Sequence, residues 1–144
     1  MNYKKFLNHQ QGLSLIEIMV ALTILTIAFI GLMQAFPYGL SINKATEDIT
    51  VASYLAQDKI EELHSLGYDN IATGTPETKH RLSDDQANYL YFYQRQTEVN
   101  YVDGNLSNSI LDTGMKKISV TVYYTNALSK TEKSYNITTL ISER

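Results

Sequence analysis

The sequence predicts an α+β protein: one long N-terminal helix whose second half lies on a small antiparallel β-sheet. Three observations carry this. From Leu13 to Phe36 nearly every residue is apolar. From Leu40 to Leu66 apolar residues recur three and four positions apart, the period of a helix with one greasy side. Beyond Gly67 that period gives way to two-residue alternation, the period of a half-buried strand.

Length and composition narrow the class further. A chain of 144 residues fits one small globular domain plus an additional segment. The net charge of −3 offers no electrostatic support for a nucleic-acid partner. There is no cysteine, which excludes a disulfide, a thiol nucleophile and a Cys-ligated metal. The folded part must therefore rely on core packing where many small secreted domains use a disulfide.

The N-terminal segment is the most informative. Residues 1–12, MNYKKFLNHQQG, are polar and basic, with Lys4 and Lys5 and no acid. The run from Leu13 to Phe36, as a helix, would extend roughly 36 Å, enough to cross a hydrocarbon core of about 30 Å. The two lysines place the N-terminus in the cytoplasm and the rest of the chain outside. A secretory signal peptide fits poorly, because its apolar core should span only about 7–15 residues before a small-x-small site. Met33-Gln34-Ala35-Phe36 is a poor site of that kind.

Glu17 interrupts the apolar run. A carboxylate within a spanning segment is costly, by about 3 kcal/mol at the bilayer centre and less near the interface, so it asks for a function and a partner. Ser14-Leu15-Ile16-Glu17 also has the S-x-x-E spacing of a capping box, and the helix dipole favours an acid in that first turn. On this stretch alone, a capped membrane anchor stays open.

The whole string resembles the type IV prepilin family. The matching elements are a short basic leader with Lys4 and Lys5, Gly12 at its end, then Leu13, Ser14, Leu15, Ile16, Glu17 and the apolar run Ile18 to Phe36. The resemblance implies a prepilin peptidase that cuts between Gly12 and Leu13 on the cytoplasmic side and methylates the new amine of Leu13. It also implies that Glu17 of an incoming subunit pairs with the Leu13 amine of its neighbour, which sets the axial stagger of a filament. Two departures are present: Gln10 and Gln11 stand where many relatives have Lys or Arg, and the first mature residue is Leu rather than Phe.

Pro37, followed by Tyr38 and Gly39, predicts a kink or a stop in the helix, with Gly31 a second soft spot. Ala45, Ile49, Ala52, Leu55, Ala56, Ile60 and Leu63 form the expected apolar stripe, with Lys44, Glu47, Asp48, Asp58, Glu61 and Glu62 mostly off it. Residues 52–63 are similar to a segment recurrent in minor pilins and minor pseudopilins. Gly67 predicts the helix end. Residues 67–88 read mainly as loop, with a short strand near Thr78 to Leu82. A strand is expected from Tyr89 through Val99 to Tyr101, a turn-rich loop from Asp103 to Gly114, and a strand at Ile118–Thr125. A connection at 126–130 and a last strand through Tyr135, Ile137, Thr139 and Ile141 complete an antiparallel meander. With the helix laid on it, this is the pilin-like architecture that the resemblance implies.

No residue pattern points to catalysis. His9, His64 and His80 lack metal-type spacing, and there is no Ser elbow, phosphate loop or dinucleotide fingerprint. No cofactor and no metal are expected. Asp84-Asp85 reads as a solvated loop; Asp103, Asn105 and Asp112 share one loop that could hold Ca²⁺ only on composition. Asn105-Leu106-Ser107 and Asn136-Ile137-Thr138 match the glycosylation triplet, a pattern frequent by chance. The eleven tyrosines suit either an adhesive surface or a half-buried sheet, and the second needs no further assumption.

The expected organisation is a basic leader at 1–12, a transmembrane and assembly helix at 13–36, an amphipathic helix half at 37–66 and a β domain at 67–144. The expected function is a structural subunit of a type IV pilus, type II secretion or competence filament. The resemblance favours a minor pilin of the PilV type or the related I-type minor pseudopilin. Its expected partners are prepilin peptidase, other pilin or pseudopilin subunits, an inner-membrane assembly platform and membrane lipid. It would sit in the cytoplasmic membrane as a single-pass protein before entering a pilus or pseudopilus. The alternative is a single-pass anchor that presents a β domain as a binding module, with no filament.

Overall fold

The computed structural model describes residues 14–125 and 131–143. The chain divides into two compact units, Met1–Leu40 and Ser41–Arg144. One helix, α1, runs from Leu15 to Leu66. It does not stop at Pro37, so of the two expected outcomes the stop is not realised. Proline removes one amide from the ladder, and the apolar helix formers on both sides keep the helical path. The helix does end where expected: Gly67 follows Leu66 with a φ of 75°, a conformation that glycine adopts without a Cβ penalty.

Five antiparallel strands follow: β1 (Gly74–Arg81), β2 (Tyr93–Val102), β3 (Asn108–Ser109), β4 (Met115–Thr125) and β5 (Glu132–Ser142). The sheet order is β1-β2-β4-β5, with β3 paired to β2. The expected meander of three long strands is β2, β4 and β5. Because β4 is central, its inner residues Lys116, Ile118, Val120, Val122 and Tyr124 are all buried. Ile118, Val120, Val122 and Tyr124 pack with Val99 and Tyr93 of β2 against Ala52, Ala56 and Leu63 of α1. Both alanines are fully buried, and their small size lets the helix backbone lie close to the sheet. The α+β architecture is as expected.

Three local expectations are corrected. The first strand is longer than Thr78 to Leu82 and begins at Gly74. It is an edge strand with register breaks either side of Glu77, and almost all its side chains are exposed, so no apolar alternation marks it. Tyr89–Phe92 is a 3-10 turn and not the start of β2. The Asn88 side chain accepts the Leu90 amide at 3.0 Å, and Asp85 Oδ1 accepts the Ala87 amide at 2.9 Å. These local bonds hold a turn where tyrosine alternation imitates a strand. Third, Ile49 is exposed and Asp48 is buried in its place. The helix meets the sheet there at Tyr93 and Tyr124, and Asp48 lies beside those phenols with Lys44 Nζ 3.3 Å from its Oδ1. Burial first, then the charges of Asp48 and Glu47, push the Tyr93 phenol up to about 12. The expected connection at 126–130 lies outside the described residues.

Two polar clusters, one buried and one half-buried, tie the sheet to α1 and to the turn that follows it. Lys116 is buried on the inner face of β4, and its ammonium donates to the carbonyls of Tyr68 (2.7 Å) and Ile71 (3.0 Å). It also lies 4.1 Å from the centre of the Tyr68 ring, whose hydroxyl donates to Asp112. This fastens the turn that follows α1. In the second cluster Arg95 Nε donates to both carboxylate oxygens of Glu77, at 3.0 and 3.1 Å, and Thr97 Oγ1 donates to Glu77 at 2.6 Å. Arg95 also reaches the Leu55 carbonyl of α1 at 3.4 Å.

The Glu77 cluster sets an acid limit on stability. Burial pushes its carboxyl up, but hydrogen bonds from Arg95 and Thr97 and the Arg95 charge outweigh it and hold the group below its ordinary 4.5. A lowered folded value means that the stabilisation is complete above pH 4.5 and is lost as pH falls through the folded value. Arg95→Ala leaves Glu77 enclosed without its cation and is expected to cost about 3 kcal/mol at neutral pH. Denaturant unfolding of wild type and variant at pH 7 and pH 4 checks both points. The gap between the two proteins should narrow at the lower pH.

Candidate functional site

The candidate site is the start of α1. Ser14 precedes the helix, and its carbonyl accepts the amides of Glu17 (3.0 Å) and Ile18 (3.2 Å). Glu17 thus sits in the first turn, where the partial positive charge of the helix start stabilises a carboxylate. Among the described residues neither side chain makes the reciprocal bonds of a capping box, so Glu17 stays exposed and available.

Its surroundings are distinctive. Every side chain from Ser14 to Leu40 is exposed in the isolated chain, although most are large and apolar. A helix that is apolar all round is one buried by lipid or by other helices. The hydroxyls of Thr23 and Thr26 donate to the carbonyls of Met19 (2.8 Å) and Leu22 (2.7 Å), so both are satisfied within the helix. Glu17 is the only carboxylate or ammonium side chain between Lys5 and Lys44. It shares a shallow face with Ile18, Ala21, Leu22 and Leu25, where the small Ala21 leaves room beside the carboxylate. Chemically, the face can hold an apolar helix and can receive one cation.

Of the expected site residues, Glu17 is placed by the structure at this first turn. Gly12, Leu13, Lys4 and Lys5 lie outside the described residues, as does His9. The loop carboxylates considered for Ca²⁺ serve their own turns. Asp103 Oδ1 accepts the amides of Asn105 and Ser107, both at 2.9 Å, and Asp112 accepts the Gly114 amide and the Tyr68 hydroxyl. Among the described residues no three His, Cys, Asp or Glu side chains are grouped to hold a metal.

A family model, the prokaryotic N-terminal methylation motif, matches residues 7–33. No curated protein and no solved structure matches the chain. The matched stretch contains Gly12, Leu13 and Glu17, and it ends inside the apolar part of α1. Such a motif implies processing by a prepilin peptidase and assembly with other pilin subunits, and it points to a structural rather than a catalytic protein. Together with one helix long and apolar enough to cross a membrane, it is consistent with anchoring in the inner membrane. The chain carries a type IV prepilin-like N-terminal signal.

Proposed function

We propose that this chain is a minor pilin or minor pseudopilin, cut between Gly12 and Leu13, N-methylated on Leu13 and assembled through Glu17. The observation that carries the reading is the Glu17 carboxylate in the first turn of α1, the one charged side chain in its largely apolar, exposed stretch from Leu15 to Leu40, inside the matched motif. In this reading residues 1–12 are the leader, 13–36 the membrane and assembly helix, 37–66 its amphipathic half and 67–144 the β domain. Lys4 and Lys5 hold the leader in the cytoplasm, and the β domain lies outside the membrane.

Cleavage creates a cationic amine on Leu13. In a low-dielectric setting that amine and the Glu17 carboxylate each need a partner. Four residues apart on one helix, they make at best a weak internal pair. Pairing between neighbouring subunits satisfies both charges and fixes their stagger. The uncut precursor has no cation at that position, so it cannot take part. The assembly platform of the inner membrane would then lift the paired helix out of lipid into the filament.

The test is the N-terminal mass of the full-length protein, expressed with and without a prepilin peptidase. A peptidase-dependent start at Leu13 is the expected result. An intact Met1 start beside an active peptidase would overturn the reading and leave a single-pass anchor presenting a β domain.

A further inference from the structure

Glu17 has two unlike flanks. On a helix, the side chains three and four positions further on lean back toward the N-terminus and stand over the turn below them. Over Glu17 these are Val20 and Ala21, one to each side at roughly 100° per residue. Val20 is β-branched and stiff at χ1, so it walls its flank. Ala21 ends at Cβ, and on its side a groove lined by Glu17, Ile18, Ala21, Leu22 and Leu25 leads to the carboxylate. The rest of the run is sorted in the same way. Thr23, Thr26 and Gln34, the other polar side chains from Ile18 to Phe36, all lie at least about 140° around the helix from Ala21. The Ala21 flank is therefore apolar as far as Phe36, with Glu17 as its one charge.

We propose that Ala21 is a positioning residue of assembly: it keeps one flank of Glu17 open, so that the Leu13 amine of a neighbouring mature subunit reaches the carboxylate over Ala21 and not over Val20. This deepens the charge-pairing reading and rests on it. The occupant follows from the chemistry of the flank. A free cation would leave the apolar walls of the groove uncovered, and a lipid tail would leave the carboxylate unpaired. The N-terminal turn of a processed subunit brings an amine with an apolar helix behind it, and so satisfies both. A bulky side chain at position 21 would lean across Glu17 and hold an incoming helix off, lengthening the charge pair and weakening it. The same bulk at position 20 falls on the flank that the neighbour does not use. Ala21 thus fixes on which side of Glu17 the neighbour sits, a choice that charge alone leaves open.

The test is assembly of the full-length chain in cells that make filaments. It is read as the ratio of mature subunit in sheared filaments to mature subunit in the membrane, with N-terminal mass to follow cleavage. Ala21→Leu should be cut normally and enter filaments at least about tenfold less well. Ala21→Gly and Ala21→Ser keep the groove open and should enter within about twofold of wild type. A defect of helix stability alone would run the other way, worse for glycine than for leucine. Val20→Phe adds bulk to the closed flank and should also enter within about twofold. Full entry of Ala21→Leu overturns the proposal, and so does an equal loss for Val20→Phe, since the side of approach would then not matter. Glu17→Val separates this proposal from the reading beneath it. If that variant enters normally, charge pairing falls and the role of Ala21 with it; if it is excluded while Ala21→Leu enters fully, only the role of Ala21 falls.

Discussion

Glu17→Val is expected to leave cleavage at Gly12 nearly intact and to reduce entry into filaments by roughly a hundredfold. The two halves of the result come from different chemistry. The peptidase acts on the peptide bond before the apolar helix, and valine preserves that helix and its membrane insertion. Incorporation, in the proposed mechanism, needs a carboxylate to meet the new amine of a neighbour. Breaking an enclosed charge pair by removing one partner costs about 3 kcal/mol, since the other charge is left unpaired. At 1.4 kcal/mol per factor of ten, that corresponds to roughly a hundredfold. The measurement is the ratio of mature subunit in sheared filaments to mature subunit in the membrane. A normal ratio for the variant would remove charge pairing from the mechanism.

The second large effect is expected at Gly12. Gly12→Ser, or a bulkier replacement, should block processing, so that the protein keeps its leader and its Met1 mass. Glycine has no Cβ and lets a protease approach the backbone closely in conformations other residues resist. An unprocessed chain has no cation at Leu13, so this variant should also be missing from filaments. The two variants are then distinguishable by mass: mature but unassembled for Glu17→Val, immature and unassembled for Gly12→Ser. An unchanged mature mass for Gly12→Ser would refute the cut site.

The placement of Glu17 is legible in the sequence because the relevant information is local. A basic leader, a glycine, one acid and an apolar run lie in order along 36 residues, and one helix carries the last two. The helix end at Gly67 and the strand at Ile118–Thr125 are legible for the same reason: each follows from the backbone of one residue or the period of one segment.

One-dimensional pattern does not supply any feature whose partner lies far along the chain. Lys116 is a charged side chain that no local pattern marks for the interior, yet it is buried, and the carbonyls of Tyr68 and Ile71 accept from its ammonium. Glu77 reads as a loop acid, yet Arg95 and Thr97 hold it against the sheet. Asp48 lies inside because two tyrosines from β2 and β4 end there, and β1 is a strand although its own residues lack alternation. Period and composition thus specify the helix, its charge and the strand-forming segments, since each depends on neighbours within a few residues. Sheet order, the burial of Lys116 and the half-buried Glu77–Arg95 pair arise only on folding, because burial and pairing are properties of segments brought together.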